Sequence, residues 1–174
     1  VVLGLTPDPY VETIVEHSLT PVVCDFKNAQ AISLAAEKAG VIINGFIAID
    51  TGMGRIGYIP EENSAIENIR AITELPNFKI QGLFSHFAAA DAEDKTYSAV
   101  QEQRFITFYK KLRDADIDIP CRTLANSAAV MEFPSSHFEM VRPGIILYGC
   151  YPSDEVDKSQ LELKPVMSVK ANII

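Results

Sequence analysis

Apolar residues in this chain alternate between short continuous runs and longer stretches of helical spacing. The runs are Val-Val-Leu-Gly-Leu at 1–5, Pro-Val-Val-Cys-Asp at 21–25, Phe-Ile-Ala-Ile at 46–49 and Ile-Gln-Gly-Leu-Phe at 80–84. Runs of this length predict strands covered on both faces, as in a parallel sheet. Between them, Tyr10, Val11, Ile14 and Val15 recur at helical spacing up to His17. Ile32, Ala35, Ala36 and Ala39 form a second stripe, ended by Gly40. A third stripe, Ala65, Ile66, Ile69 and Ile72, is expected to open at Pro60, a residue suited to a first helical turn. Val100, Phe105, Phe108 and Leu112 make a fourth. Residues 122–125 predict a fifth strand with a short helix after it through Met131. Residues 138–141 predict a sixth strand ending at Arg142, and the apolar run 145–148 beyond the Pro143-Gly144 turn is also strand-like.

Strand followed by helix, six times over, implies a parallel sheet with right-handed crossovers. Two α/β architectures satisfy this: an open doubly wound sheet and a closed (β/α)8 TIM-type barrel. The polar residues favour the barrel. Asp50 and Arg55, His86, Asn126 and Ser127, and Arg142 and Gly144 each follow a different strand at its carboxyl end. A barrel gathers those ends around one mouth, whereas an open sheet leaves the outer ones far from a single pocket. Residues 1–152 are therefore expected to form about six βα units of a barrel. After Tyr151-Pro152 the chain turns polar and acidic over 153–160, like a linker, and residues 166–174 alternate as the first strand of a β-rich domain. Both ends fall inside expected secondary structure, which reads as part of a longer protein.

Composition narrows the partners. The net charge is -8, which disfavours nucleic acid, since phosphate backbones need a basic footprint. No apolar run reaches the roughly 20 residues of a membrane span. Cys24, Cys121 and Cys150 are scattered and odd in number. They suit a reducing cytoplasm better than a disulfide framework, and they do not fall at metal-ligand spacing with the histidines.

Three features could carry chemistry. Gly52-Met53-Gly54-Arg55-Ile56-Gly57 matches the glycine pattern of dinucleotide sites and follows a strand. Yet Tyr58-Ile59 separate Gly57 from the expected helix, and the next strand ends in Ser85-His86 without an acid to hold a ribose. The other readings are a glycine-rich loop that aims Arg55 at a ligand and a plain tight turn. Asn126-Ser127 could simply cap the next helix or leave N–H groups for a phosphate. In (β/α)8 barrels phosphate often sits between the loops after strands seven and eight. Were two units to precede Val1, Ser127 and Gly144 would occupy those loops, with the backbone of Gly144 and Ile145 near the phosphate. Arg142 is a permanent cation that only donates hydrogen bonds, and facing a ring nitrogen it would keep that nitrogen unprotonated. His86 is expected to hold Arg142. His17 and His137 read as structural.

At these residues the sequence resembles the alanine racemases, a family of fold-type III pyridoxal-phosphate enzymes. The matching segments are 50–57, Gly82-Leu83-Phe84-Ser85-His86-Phe87-Ala88, Leu124-Ala125-Asn126-Ser127-Ala128-Ala129 and Val141-Arg142-Pro143-Gly144-Ile145. They lie in family order and cover nearly the whole chain. The resemblance implies pyridoxal 5'-phosphate as cofactor, with Arg142 at the pyridine nitrogen and His86 supporting it. Ser127, Asn126, Gly144 and Ile145 would surround the phosphate, and Arg55 would lie near the ring hydroxyl and the substrate carboxylate. It also implies interconversion of L- and D-alanine for peptidoglycan, and a head-to-tail homodimer.

The family's Schiff-base lysine and opposing tyrosine have no counterpart in these residues, so no catalytic base is assigned here. Ala48 stands where many members carry a carbamylated lysine that orients the residue matched by Arg55. A serine racemase of the same family, or a barrel that carries cofactor without turnover, fits the same residues.

Overall fold

The computed structural model describes residues 1–62 and 64–171. Five strands, β1 (Val2–Leu5), β2 (Pro21–Val23), β3 (Ile43–Ala48), β4 (Phe78–Phe84) and β5 (Cys121–Thr123), form one sheet in that order. Every neighbouring pair is parallel. The helices are α1 (Val11–Glu16), α2 (Phe26–Ala39), α3 (Ser64–Thr73), α4 (Thr96–Asp114) and α5 (Ser127–Glu132).

A doubly wound sheet reverses its strand order at a switch point. Here the order never reverses, so right-handed crossovers put every helix on the same face. This is the winding of a TIM-type barrel, as expected from the positions of the polar groups. Side-chain alternation agrees. Val23, Ile47, Ile49 and Leu83 point outward into the large core beneath the helices. Val22, Phe46, Ala48 and Phe84, each displaced by one residue, form a separate inner cluster. A period of two places them on opposite faces of the sheet.

Local signals account for most element ends. Asp25 caps α2 by accepting from the Asn28 N–H at 2.7 Å, and the helix stops at Gly40 in the left-handed region. The stripe Ile32, Ala36 is fully buried, so burial of that face holds α2 against the sheet.

Several expectations need correction. Pro60 does not open a helix. It sits in a turn, and α3 starts at Ser64. Val100 is 48% exposed, so it is not part of the α4 core stripe, although Phe105, Phe108 and Leu112 are buried. The sixth strand does not form. Phe138 takes φ 47°, a left-handed conformation that interrupts an extended run. The Arg122 N–H donates to the Glu139 carboxylate at 2.8 Å rather than to a neighbouring main chain. Two main-chain contacts, Met140 N to Arg122 O and Arg142 N to Ala125 O, still lay the segment beside β5. Ile145–Tyr148 is a 3-10 turn with only Ile146 buried. A short apolar run does not distinguish these alternatives by periodicity. Residues 161–171 carry no strand, and the rest of the strand expected over 166–174 lies outside the described residues. Val156, within the expected linker, packs into the main core.

Candidate functional site

The loops that follow β3, β4 and β5, and the segment ending at Arg142, meet at the carboxyl edge of the sheet. Arg142 is the centre of this edge. Its Nη1 donates to Thr123 Oγ1, and its Nη2 donates to the carbonyls of Ser85 (2.7 Å) and Leu124 (3.1 Å). The guanidinium carbon lies 4.4 Å from the centre of the Phe84 ring, a cation–π arrangement. Burial, and then the charge of Arg55, push the Arg142 pKa down to about 10, so the group stays cationic at neutral pH. Its Nε is buried and has no partner. A buried N–H left unpaired is costly.

His86 Nδ1 lies 3.3 Å from Arg142 Nη2. Burial, Arg142 and Arg55 push the His86 pKa down to about 4. The imidazole is therefore neutral, with Nδ1 accepting from the guanidinium and the proton on Nε2.

Ser127 and Gly144 face each other across the same hollow. The Gly144 N–H donates to Ser127 Oγ at 2.8 Å, which leaves the serine hydroxyl proton available to a third group. Asn126 Oδ1 accepts from the Ala129 N–H at 3.1 Å, so its side chain serves the cap. A cavity of about 340 Å³ is lined by His86, Asn126, Ser127, Arg142, Gly144 and Ile145, with Asp91 on its wall. The sequence-derived candidates after β4, after β5 and around Arg142 thus share one hollow.

Arg55 stands beside it. The Asp50 carboxylate accepts from the N–H groups of Gly52 (2.9 Å) and Gly54 (3.0 Å). Main-chain bonds between Asp50 N and Tyr58 O, and between Tyr58 N and Ala48 O, close the loop at its base. Gly57 has φ 127°, and a Cβ there would collide with the backbone of Ile49 and Asp50. The glycines therefore serve loop closure. No helix begins at Gly57, which removes the dinucleotide reading. Arg55 is exposed and, with Ser85 and His86, lines a narrow hollow next to the main one. Ala48 is fully buried on the inner face and offers Arg55 no polar contact.

Sequence reasoning missed Thr123, which anchors Arg142, and three residues of α4. Tyr97 Oη donates to Gly52 O at 2.8 Å, Arg104 Nη1 to Thr51 O at 2.7 Å, and Gln101 Nε2 to Thr51 Oγ1 at 3.2 Å. Positions 97, 101 and 104 share one helical face, so a polar stripe facing a glycine-rich loop was the available signal. His137 Nε2 lies 3.2 Å from Ala129 O, and His17 is exposed. Neither lines the hollow. Among the described residues no His, Cys, Asp and Glu cluster could hold a metal, and no helix is long and apolar enough to cross a membrane.

A singly wound βα sheet, with a fixed guanidinium and a hydroxyl–amide pair at its carboxyl edge, defines a TIM-barrel domain with a hydrogen-bond-donating hollow at its mouth. The chain belongs to the alanine racemase family. The model described as "Alanine racemase, N-terminal domain" matches residues 1–152. The alanine racemase of Clostridium novyi (strain NT) is 49% identical over 173 residues, 99% of this chain and 44% of that protein. The alanine racemase of Methanococcus maripaludis is 43% identical over 169 residues, 97% of this chain and 45% of that protein. The structure of alanine racemase from Clostridium difficile 630 in complex with cycloserine superposes with a TM-score of 0.90 at 38% identity, covering 94% of this chain and 44% of that one. The chain thus spans less than half the length of these relatives. The family is pyridoxal-phosphate-dependent.

Proposed function

We propose that this chain forms the cofactor-holding barrel of a pyridoxal-phosphate-dependent alanine racemase, which interconverts L- and D-alanine. The observation that carries this reading is the fixed guanidinium of Arg142, held by Thr123, Ser85 and Leu124, lining the same hollow as the Ser127–Gly144 pair. A pyridine nitrogen that is unprotonated is an acceptor and suits a guanidinium, which only donates. A phosphate suits the free hydroxyl proton of Ser127 and the main chain of Gly144 and Ile145. The residues present therefore fit the group.

Each residue then has a distinct task. Arg142, held by Thr123, Ser85, Leu124 and His86, would face the ring nitrogen and exclude a proton from it. His86, neutral and accepting, would keep the guanidinium oriented without adding charge. Ser127, Gly144 and Ile145 would hold the phosphate, with Asn126 fixing the turn they sit on. Arg55 would lie by the ring hydroxyl and the substrate carboxylate. When bound, pyridoxal phosphate acidifies the Cα–H of an amino acid so that its proton can be removed and returned on the opposite face. No residue of this chain is assigned as the base that moves that proton.

Calorimetric titration with pyridoxal phosphate and with pyridoxal tests the reading. Pyridoxal phosphate should bind at least about tenfold more tightly, a difference of roughly 1.4 kcal/mol, and Ser127→Ala should remove most of that advantage. Equal affinity for the two compounds would contradict it.

A further inference from the structure

Gln101 lies on α4, away from the hollow, yet it touches both loops that flank it. Its side chain is fully buried. Nε2 donates to Thr51 Oγ1 at 3.2 Å and to the His86 carbonyl at 3.1 Å, while Oε1 accepts from the Ala88 N–H at 2.9 Å. A primary amide has two N–H donors and one carbonyl, and all of them are used here. Glutamate would lose both donors and bury a charge. Leucine would leave the His86 carbonyl and the Ala88 N–H unpaired and take one of two partners from Thr51 Oγ1.

The links continue in both directions. Thr51 Oγ1 also shares a hydrogen bond with Ser85 Oγ at 2.8 Å, in which either hydroxyl can donate. The Ser85 carbonyl accepts from Arg142. On the other side, Thr51 O accepts from Arg104, which also grips Glu61 with two bonds of 2.9 and 2.7 Å. Tyr97 holds Gly52 O, and a Cβ on Gly52 would collide with the Tyr97 hydroxyl. The loop bearing Arg55 is thus gripped at residues 51 and 52 by one face of α4. The same face, through Gln101, grips the turn bearing His86.

We propose that Gln101 is a positioning residue that fixes the spacing between Arg55 and the His86–Arg142 pair. The loop closes on its own base through Asp50 and Tyr58, Ala48 gives Arg55 no polar contact from the inner face, and Thr51 ties the closed loop to α4 from outside. The role of Arg55 toward ligand rests on the proposed function above. The spacing itself does not, and it can be measured without cofactor.

The test is a double-mutant cycle read on the His86 pKa, by NMR of 15N-histidine-labelled protein in the absence of cofactor. Arg55 contributes to the depression of that pKa. Removing its charge with Arg55→Gln should raise the pKa by about half a unit, the order expected for a solvent-screened cation nearby. Gln101→Leu should raise it too, by letting Arg55 drift. The double variant should rise no further than Arg55→Gln alone, because Gln101 acts through Arg55. Thr51→Val cuts the same link from the loop side and should show the same non-additivity, which covers the case in which Gln101→Leu does not fold. Additive rises would overturn the proposal, since they mean that the bonds of Gln101 to the His86 carbonyl and the Ala88 N–H, and not its tie to the loop of Arg55, carry its effect. An unchanged pKa in the folded Gln101 or Thr51 variant would also overturn it. If the protein fails to bind pyridoxal phosphate yet the cycle is non-additive, only the racemase reading falls.

Discussion

Arg142 and His86 form a cation–acceptor pair across 3.3 Å, with the imidazole neutral and the guanidinium charged. Two half-buried basic groups in contact usually repel. Here desolvation and the neighbouring charges remove the proton from the weaker base, and repulsion becomes a hydrogen bond.

This pair makes stability depend on pH. The unfolded ring holds a proton up to its ordinary value near 6.5, whereas the folded ring holds one only below about 4. Between these values the unfolded state binds more protons, so stability rises with pH across that window and is fully present above it. The expected gain is on the order of 1 kcal/mol, reduced for the solvent that still reaches the ring. Thermal melts between pH 5 and 7 should show this slope, and His86→Gln should flatten it.

Gly57→Ala should destabilise the loop that carries Arg55. The new Cβ would meet the backbone of Ile49 and Asp50 in a left-handed conformation, and neither obstacle can swing aside. A loss of about 2 kcal/mol or more is expected, measured by urea denaturation. A neutral result would mean that the base of this loop is looser than its Asp50–Tyr58 closure implies.

Under the proposed function, Arg142→Glu should change the products formed by the full-length protein. A carboxylate at that place lets the ring nitrogen keep a proton and makes the cofactor a stronger electron sink. Transamination and other side products should then increase relative to racemisation, as measured by product analysis over many turnovers. An unchanged partition would count against the role given to Arg142.

Much of the fold could be read because strands here are short apolar runs and helices carry clear stripes. Ile32 and Ala36, or Phe105, Phe108 and Leu112, are buried as their spacing demands. The failures have local causes. The segment 138–141 looks extended, but the left-handed Phe138 and the Glu139 carboxylate on Arg122 N break the ladder. Nothing in an apolar pattern reports either. Arg142, Ser127, His86 and Gly144 were legible because each ends a strand or a turn, and strand ends converge in this architecture. Thr123 was not, and Gln101 only through its place in the polar stripe of 97, 101 and 104. A glutamine inside a long helix reads as solvent-facing until its neighbours are known, and Thr123 looks like any strand residue.

The most direct measurement is the 15N shift of the pyridine nitrogen in bound, labelled pyridoxal phosphate at neutral pH. With the Arg142 guanidinium facing it, the nitrogen should report as unprotonated, and Arg142→Glu should move it toward the protonated value. A protonated nitrogen in the unaltered protein would contradict the account.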